Sequence, residues 1–228
     1  YAAPVKLCKE HLINNQAKAI IVNSGVANAC TGKEGYDSAV EMAKETAKQL
    51  QCNSTDVLVC STGKIGPQLP MDKIKLGIFD LCKSLSENNL DITSKAIMTT
   101  DTHPKIVTKS IFLNNQKITI TGVAKGAGMI EPNMATMLAF IMTDAKINSF
   151  DLNKCLKDAV DVSFNRITVD GDQSTNDTVL MLANGLDDRY ELNPTSNEWN
   201  DFTIALKEVC FELAMMIVHD GEGADRFI

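Results

Sequence analysis

The chain has 228 residues, of which 44% are hydrophobic, and its formal net charge is −7. This length and apolar content suffice for a hydrophobic core in one domain or two small ones. The negative charge, with a pI near 5.0, argues against a nucleic-acid-binding protein, which would carry a basic face. No apolar stretch approaches the roughly 20 residues of a membrane-spanning helix, and no signal peptide opens the sequence, so we expect a cytoplasmic protein without membrane association.

The cysteines indicate a reducing compartment. They are odd in number, form no Cys-x-x-Cys pair, and several fall at apolar positions, as buried free thiols do. We therefore predict no structural zinc and no other metal site. The seven are Cys8, Cys30, Cys52, Cys60, Cys82, Cys155 and Cys210. The sequence opens at Tyr1 with YAAPVKL, which resembles the interior of a strand, so we interpret it as part of a longer product.

The first hundred residues alternate apolar runs with helical spacings. Runs that end in Gly turns predict strands at 17–25 and 56–63. Helical spacing predicts a helix from Asp37, as its N-cap, to about Leu50, and a second one from about Met71 to Leu85. The run AIMTTD at 96–101 is typical of another strand. The second helix is expected to present one apolar face, made of Ile74, Ile78, Leu81 and Leu85.

The rest of the chain contains a predicted hairpin, because alternating runs at 105–113 and 116–124 flank an Asn-Asn turn. The later predicted elements are helices at about 150–162 and 199–218, strands at 165–172 and 178–185, and a surface loop at 187–200. Helices and strands interleave, but the hairpin argues against a purely parallel sheet. We predict an α/β (α+β) fold, a layered sandwich of mixed or antiparallel sheets covered by helices, in one domain over 1–228.

Two kinds of motif resemble known ligand sites but lack residues that those sites require. TGKEG and STGKIG lack the hydroxyl residue that follows the Lys of a phosphate-binding loop. The stretch DGDQSTND at 170–177 starts like a calcium loop, but Thr175 stands where Gly is needed and Met181 where the bidentate Glu belongs. A turn rich in hydrogen bonds from side chains to the backbone explains the second motif better.

A single hydroxyl, Thr136, interrupts the apolar run of KGAGMIEPNMATMLAFIMTDA at 125–145. Only three histidines are present, and nothing in the sequence places them together as the base of a triad. A threonine needs no histidine when it begins a chain, because its own α-amine accepts the hydroxyl proton. Cleavage after Ala135 through an N-to-O shift would free that amine. Alternatively, Thr136 is only a β-branched residue packed in a strand, and the local sequence alone favours this interpretation.

The 125–145 segment resembles the self-cleavage segment of the ornithine acetyltransferase family, the glutamate N-acetyltransferases of arginine biosynthesis. Five more blocks resemble family blocks in the same order, so the resemblance covers nearly the whole chain. They are NSGVANACTG (23–32), STGKIGPQLPM (61–71), AIMTTDTHPK (96–105), SFNRITVDGDQSTNDTVLMLANG (163–185) and DGEGADRFI (220–228). The family fold is similar to that of the self-processing aminopeptidases.

The resemblance implies a ping-pong reaction without cofactor or metal. Thr136, exposed by cleavage after Ala135, would take the acetyl group from N-acetylornithine and pass it to glutamate, and acetyl-CoA would be a further donor in bifunctional members. The cleaved parts, 1–135 and 136–228, would stay associated as a heterotetramer. The oxyanion hole would comprise the Thr62 hydroxyl and the Gly63 N–H, and the substrate contacts would come from Thr99, Lys125, Thr136 and Glu222.

Each implied role has a structural alternative. Lys125 and Glu222 are the kind of residue that usually carries a solvated surface charge. Thr62 would instead cap a turn, and Gly63 would only provide the backbone conformation of that turn. The sequence also departs from the family pattern at three positions: Val26 replaces Asn, Gln173 replaces Thr, and Asp225 adds a charge near Glu222. Family members begin earlier and continue into a C-terminal domain that contributes an Asn and a Ser or Thr to the pocket, and we expect both parts to be missing here.

Two other functions remain open at this stage. A self-processing aminopeptidase or amidohydrolase would use water in place of glutamate. A non-catalytic fragment would bind only amino acids or a partner chain.

Overall fold

The computed structural model describes residues 1–113, 116–130, 137–186 and 191–223, which form two compact units. The first unit comprises Tyr1–Thr99 with Thr175–Thr178, and the second comprises Thr100–Ser174 and the residues from Val179 onward. Both combine helices with a β-sheet, which confirms the predicted α/β (α+β) class.

The first unit is built on a pair of parallel strands. Its strands are β1 (Ala19–Val26) and β2 (Val57–Lys64), and its helices are α1 (Ala3–His11), α2 (Gly32–Leu50), α3 (Met71–Lys83) and α4 (Leu90–Ala96). Alternate strand residues such as Ile21 and Val59 pack on a stripe of α2 that contains Ala39, Met42 and Ala43. Alanines at helical spacing give α2 a stripe of small side chains that lies close to the strands.

The second unit is built on a four-stranded sheet in the order β3-β4-β5-β7, in which β3, β4 and β5 are antiparallel. Its strands are β3 (Lys105–Leu113), β4 (Gln116–Lys125), β5 (Leu138–Thr143) and β7 (Thr178–Ala183), and a short parallel pair joins β6 (Lys146–Ile147) to β8 (Glu191–Leu192). Its helices are α5 (Ser149–Asp161) and α6 (Trp199–His219). The β3–β4 pairing confirms the predicted hairpin; the Asn-Asn turn itself lies outside the described residues.

Helix α6 covers β3 and β4 at very short range. A Cβ at Gly122 on β4 would lie 2.6 Å from a Leu213 methyl carbon and 2.8 Å from a Val209 methyl carbon. Glycine is therefore required on the strand for the helix to approach this closely. Among the helices described, none combines the length and apolar character needed to cross a membrane.

Three predicted strands are absent from the structure. The opening YAAPVKL forms helix α1, with Pro4 in its first turn, where proline is well tolerated, and with Leu7 and Cys8 buried at helical spacing from it. The run 96–101 begins with the last residue of α4 and continues as a turn and a bend, in which Ile97 and Asp101 are buried. The run 165–172 starts as a 3-10 turn, and its polar groups bond to the loop before β5 instead of to a neighbouring strand.

The predicted helices exist, but two details were wrong. Helix α2 begins at Gly32 behind Thr31, and Asp37 is not a cap, since its carboxylate binds Lys33 one turn earlier. On α3, which ends at Lys83, only Ile78 is buried; Leu81 is exposed, and Leu85 is exposed beyond the end of the helix. The predicted loop at 187–200 also contains β8, although residues 187–190 lie outside the described part.

Candidate active site

The end of β2 that carries Thr62 and Gly63 lies against β1. The parallel register pairs Ser24 with Thr62 and Gly25 with Gly63. Gly63 has φ +127°, and a Cβ there would lie 2.3 Å from the carbonyl carbon of Gly25. Only glycine fits, because any side chain would meet backbone. The requirement for glycine is therefore explained by packing alone, and a role in catalysis would be additional to it.

Side chains occupy the outer edge of β2, the edge opposite β1. The contacts are His11 Nδ1 to the Val57 oxygen (2.8 Å), Cys8 Sγ to the Val59 oxygen (3.1 Å) and Asn176 Nδ2 to the Ser61 oxygen (2.9 Å). All three carbonyls belong to odd-numbered residues of β2, whereas the Lys64 oxygen accepts from Ala27 N. Side chains of α1 and of Asn176 therefore cover this edge of β2 up to Ser61, two residues before Gly63.

The exposed Thr99 lies in the bend that follows α4. Three residues earlier, the Ala96 carbonyl oxygen accepts a hydrogen bond of 2.6 Å from Ser24 Oγ. Since Ser24 is paired with Thr62 in the strand register, this bond ties the segment that carries Thr99 to the strand pair that carries Thr62. The structure thus brings three of the predicted residues to one end of the first unit's sheet.

Lys125 is the last residue of β4, and it is buried at 2% exposure. Its Nζ lies 3.8 Å from Asp101 Oδ2. The other oxygen of Asp101 accepts hydrogen bonds of 2.7 Å from Lys105 Nζ and 2.7 Å from Gly126 N. Lys125 is therefore not a solvated surface charge, which removes the structural alternative raised by the sequence.

A second aspartate completes this buried charge cluster. Lys105 has no exposed surface, and its Nζ lies 2.5 Å from Asp220 Oδ2. Asp220 also accepts from the backbone N–H of Thr102 at 3.0 Å and from the Thr102 hydroxyl. Two lysines and two aspartates thus balance in charge, as buried ions must if their desolvation is to be offset.

Both aspartates stay ionised despite their surroundings. Burial opposes the charge of Asp101, but hydrogen bonds from Lys105 and the Gly126 N–H, with the nearby charge of Lys125, hold its pKa below the usual value. Burial also opposes the charge of Asp220, and there the bonds from Lys105 and Thr102 hold its pKa low. Lys125 therefore faces a permanent negative charge at neutral pH.

Glu222 contacts the loop of residues 126–130 that follows Lys125, here called the 126–130 loop. Its N–H donates to the Ala127 oxygen at 2.7 Å. A Cβ at Gly128 would lie 2.8 Å from one of its carboxylate oxygens, so the exposed carboxylate rests on the glycine backbone. Glu222 therefore lies on the loop that begins directly after Lys125.

The 126–130 loop leads into the predicted cleavage segment. A Cβ at Gly126 would lie 3.3 Å from Ile130 Cδ1 and 3.4 Å from Met137 Cβ. The residue before the segment 131–136 and the residue after it therefore converge at Gly126. The predicted nucleophile Thr136 and the cleavage partner Ala135 lie outside the described residues.

Comparison with known protein families gives a match to the ArgJ family over residues 1–228. The chain belongs to this family. It is 47% identical over 227 residues to the arginine biosynthesis bifunctional protein ArgJ of Geobacter sulfurreducens, and 49% identical over 229 residues to that of Thermotoga neapolitana. These matches cover 100% of the chain but only 58% and 57% of the two relatives, so the chain spans somewhat over half of their length.

Two solved structures of ArgJ proteins share its fold. The ArgJ crystal structure from Bacillus halodurans is 42% identical with a TM-score of 0.55, covering 59% of this chain and 71% of that one. The ornithine acetyltransferase of Mycobacterium tuberculosis, solved in complex with ornithine, is 38% identical with a TM-score of 0.55, covering 58% and 71%. The predicted membership of the ornithine acetyltransferase family is confirmed.

Sequence analysis missed the partners of Lys125. Asp101 and Lys105 stand four residues apart in the block AIMTTDTHPK, and Asp220 opens the block DGEGADRFI. Charged residues such as these usually lie at the surface, so their burial is not visible in the sequence. The one available signal was the recurrence of Asp and Lys inside blocks already recognised as typical of the family.

Proposed function

We propose that this chain is the self-cleaving catalytic domain of an acetyltransferase of arginine biosynthesis, which moves an acetyl group from N2-acetyl-L-ornithine to L-glutamate. The observation that carries this proposal is the buried Lys125, linked by the 126–130 loop to the carboxylate of Glu222. The cation of Lys125, which precedes the loop, and the carboxylate of Glu222, which lies against Gly128 within it, suit an amino acid, which carries both charges. Family membership and the ornithine complex of the M. tuberculosis relative support the same substrate class.

The first reaction is cleavage of the chain. The Thr136 hydroxyl oxygen attacks the Ala135 carbonyl carbon, the C–N bond breaks, and the Thr136 nitrogen takes up the hydroxyl proton to become an amine. Water then hydrolyses the resulting ester, which leaves a carboxylate on Ala135 and restores the hydroxyl of Thr136. The new α-amine, with an ordinary pKa near 7.7, acts as the general base for that hydroxyl.

The second reaction is acetyl transfer. Thr136 attacks the acetyl carbon of N-acetylornithine while its α-amine accepts the proton. The Thr62 hydroxyl and the Gly63 N–H stabilise the oxyanion, a contribution that typically amounts to about 3–4 kcal/mol for one such donor. Ornithine leaves with the proton, and the amine of glutamate then collects the acetyl group from the threonyl ester. No step requires a cofactor.

Two charged side chains bind opposite charges of the substrate in this proposal. Lys125 binds the α-carboxylate, Glu222 binds an ammonium group, and Thr99 adds a polar contact. Asp101 is a positioning residue in this scheme, because it touches Lys125 and not the substrate. The name that the curated relatives carry, bifunctional protein, supports acetyl-CoA as a second donor.

The cleaved parts remain associated in this proposal. Strand β4 lies before the cut and β5 after it, and the two pair from Ile120–Thr143 to Lys125–Leu138. Helix α6, from the later part, covers β3 and β4 from the earlier one. Two such cleaved pairs would form the heterotetramer. All seven cysteines are free thiols, which supports a reducing, cytoplasmic location.

Intact-mass measurement and an acetyl-transfer assay test this function. The wild type is expected as two fragments whose masses add to 24.8 kDa plus one water, and its ornithine release beyond the first equivalent should depend on glutamate. Thr136→Ala should give one intact chain and no transfer, whereas Thr136→Ser should retain part of both activities. An uncut wild-type chain would contradict the proposal, and acetate release that ignores glutamate would favour a hydrolase.

A further inference from the structure

We propose that Asp170 is a positioning residue for chain cleavage, which it promotes by fixing the 126–130 loop. This inference rests on the cleavage between Ala135 and Thr136 proposed above. Asp170 belongs to the motif DGDQSTND, for which neither a calcium site nor the acetyl-transfer reaction supplies a role. The structure shows what its carboxylate binds.

Both carboxylate oxygens of Asp170 accept backbone hydrogen bonds from the 126–130 loop. Oδ2 lies 2.5 Å from Met129 N, and Oδ1 lies 2.8 Å from Ile130 N. A third donor, Asp172 N at 3.2 Å, comes from the aspartate's own turn and orients the carboxylate. Hydrogen bonds to a charged acceptor are stronger than neutral ones, so Asp170 holds two successive residues of the loop.

The backbone at Met129 explains why such a hold is needed. Met129 has φ +55°, the left-handed conformation that a residue with a Cβ adopts only at a cost. No glycine is present to relieve that cost, although Gly126 and Gly128 lie close by in the loop. The two bonds from Asp170 converge on this residue and the next one, and they stabilise the turn that the side chain of Met129 disfavours.

The neighbours of Asp170 secure the other side of Ile130. The Ile130 carbonyl oxygen accepts from Val169 N at 2.7 Å and from Thr168 Oγ1 at 3.1 Å. The Ile130 side chain is fully buried, with 0% exposure. Three consecutive residues, Thr168 to Asp170, therefore bind both backbone polar groups of the last described residue before the cleavage segment.

Fixing Ile130 matters because of where the cleavage segment begins and ends. Ile130 and Met137 converge at Gly126, and only residues 131–136 separate them. Attack of the Thr136 hydroxyl on the Ala135 carbonyl requires close alignment of the two groups, and a misplacement of about 1 Å can reduce such a rate about 100-fold. Release of the Ile130 end would therefore slow the cleavage.

The test is the rate of cleavage of freshly synthesised full chain, followed on denaturing gels after a pulse of cell-free translation. Asp170→Asn keeps the shape but loses the charge and turns an amide N–H toward one of the two donors. We expect cleavage about tenfold slower or more, the effect of losing roughly one charged hydrogen bond. Asp172→Asn is the matched control, because it makes the same charge change on an exposed residue of the same turn, and it should cleave at the wild-type rate.

A second variant separates positioning from general loss of stability. Met129→Gly removes the cost of the left-handed turn, so adding it to Asp170→Asn should restore at least part of the cleavage rate. Normal cleavage in Asp170→Asn, equal slowing in Asp172→Asn, or failure of Met129→Gly to rescue would each overturn the inference. None of these results would affect the proposed function, which is tested separately by cleavage of the wild-type chain and by the glutamate dependence of its acetyl transfer.

Discussion

The two units position their candidate residues by different physical means. In the first unit, Thr62 and Gly63 are placed by backbone: two parallel strands meet at Gly25 and Gly63 so closely that no side chain fits between them. In the second unit, Lys125 is placed by charge, because the buried Asp101 contacts both it and Lys105, which in turn binds Asp220. The first arrangement requires that Gly63 carry no side chain, and the second requires that each buried charge have a partner of opposite sign.

This difference predicts how each region tolerates substitution. A site set by close backbone contact should fail when atoms are added, whatever their charge. A site set by buried ions should fail when a charge is removed, even if the shape is kept, because a buried charge without its partner is strongly unfavourable. The predictions below test the two halves of this contrast.

The largest effect is expected from Lys105→Met, which keeps the length of the side chain but leaves Asp101 and Asp220 without the cation that binds both. Breaking a buried ion pair in this way typically costs about 3–5 kcal/mol of unfolding free energy, a large part of the total for a domain. Urea denaturation monitored by circular dichroism measures it.

The chain offers a matched control for that variant. Lys33 and Asp37 form another Lys–Asp pair four residues apart, with an N–O distance of 2.8 Å against 2.7 Å for Lys105 and Asp101. The Lys33 side chain is 89% exposed, whereas that of Lys105 is 0% exposed. Lys33→Met should leave the unfolding midpoint unchanged. Similar losses in the two variants would show that burial does not explain the role of the cluster.

The backbone half of the contrast is tested by Gly63→Ala. The new Cβ would lie 2.3 Å from Gly25 backbone and would also impose φ +127° on alanine. Strain and overpacking together should cost about 2–4 kcal/mol and abolish acetyl transfer. Gly25→Ala is the control, because its φ is +104° but nothing lies within 4 Å of the added Cβ. Strain alone should cost about 1–2 kcal/mol there, and equal losses would argue against the steric explanation.

The contrast between backbone packing and buried charge also explains which features sequence analysis predicted well. The strand pair, the hairpin and the long helices follow from apolar periodicity, which local sequence encodes directly. The Gly turn after Thr62 was also visible, because glycine at a strand end signals an unusual backbone. Thr62, Gly63, Lys125 and Glu222 were named as functional through family resemblance, and the structure adds that Lys125 is buried.

The charge cluster was not predictable in this way, because its members are distant in sequence. Asp101 and Asp220 are brought together by the contact of Lys105 with both, and no local pattern distinguishes such aspartates from surface residues. The strand predicted at 96–101 failed for the same reason: Asp101 and Thr102 bind the distant residues Gly126 and Asp220. Tertiary hydrogen bonds decided the local conformation.

The smallest effect concerns acid stability. Because the pKa values of Asp101 and Asp220 are lowered in the folded state, their ionisation stabilises the fold above the ordinary Asp pKa of about 3.9. That contribution is lost as the pH falls through the lower folded-state values. Unfolding free energy should therefore decrease steeply with acidification below about pH 4 in the wild type. Asp101→Asn cannot be protonated in this range, so its stability, although lower at neutral pH, should decline less steeply. Urea titrations at a series of pH values measure both slopes, and parallel curves would mean that the charge of Asp101 contributes nothing to the fold.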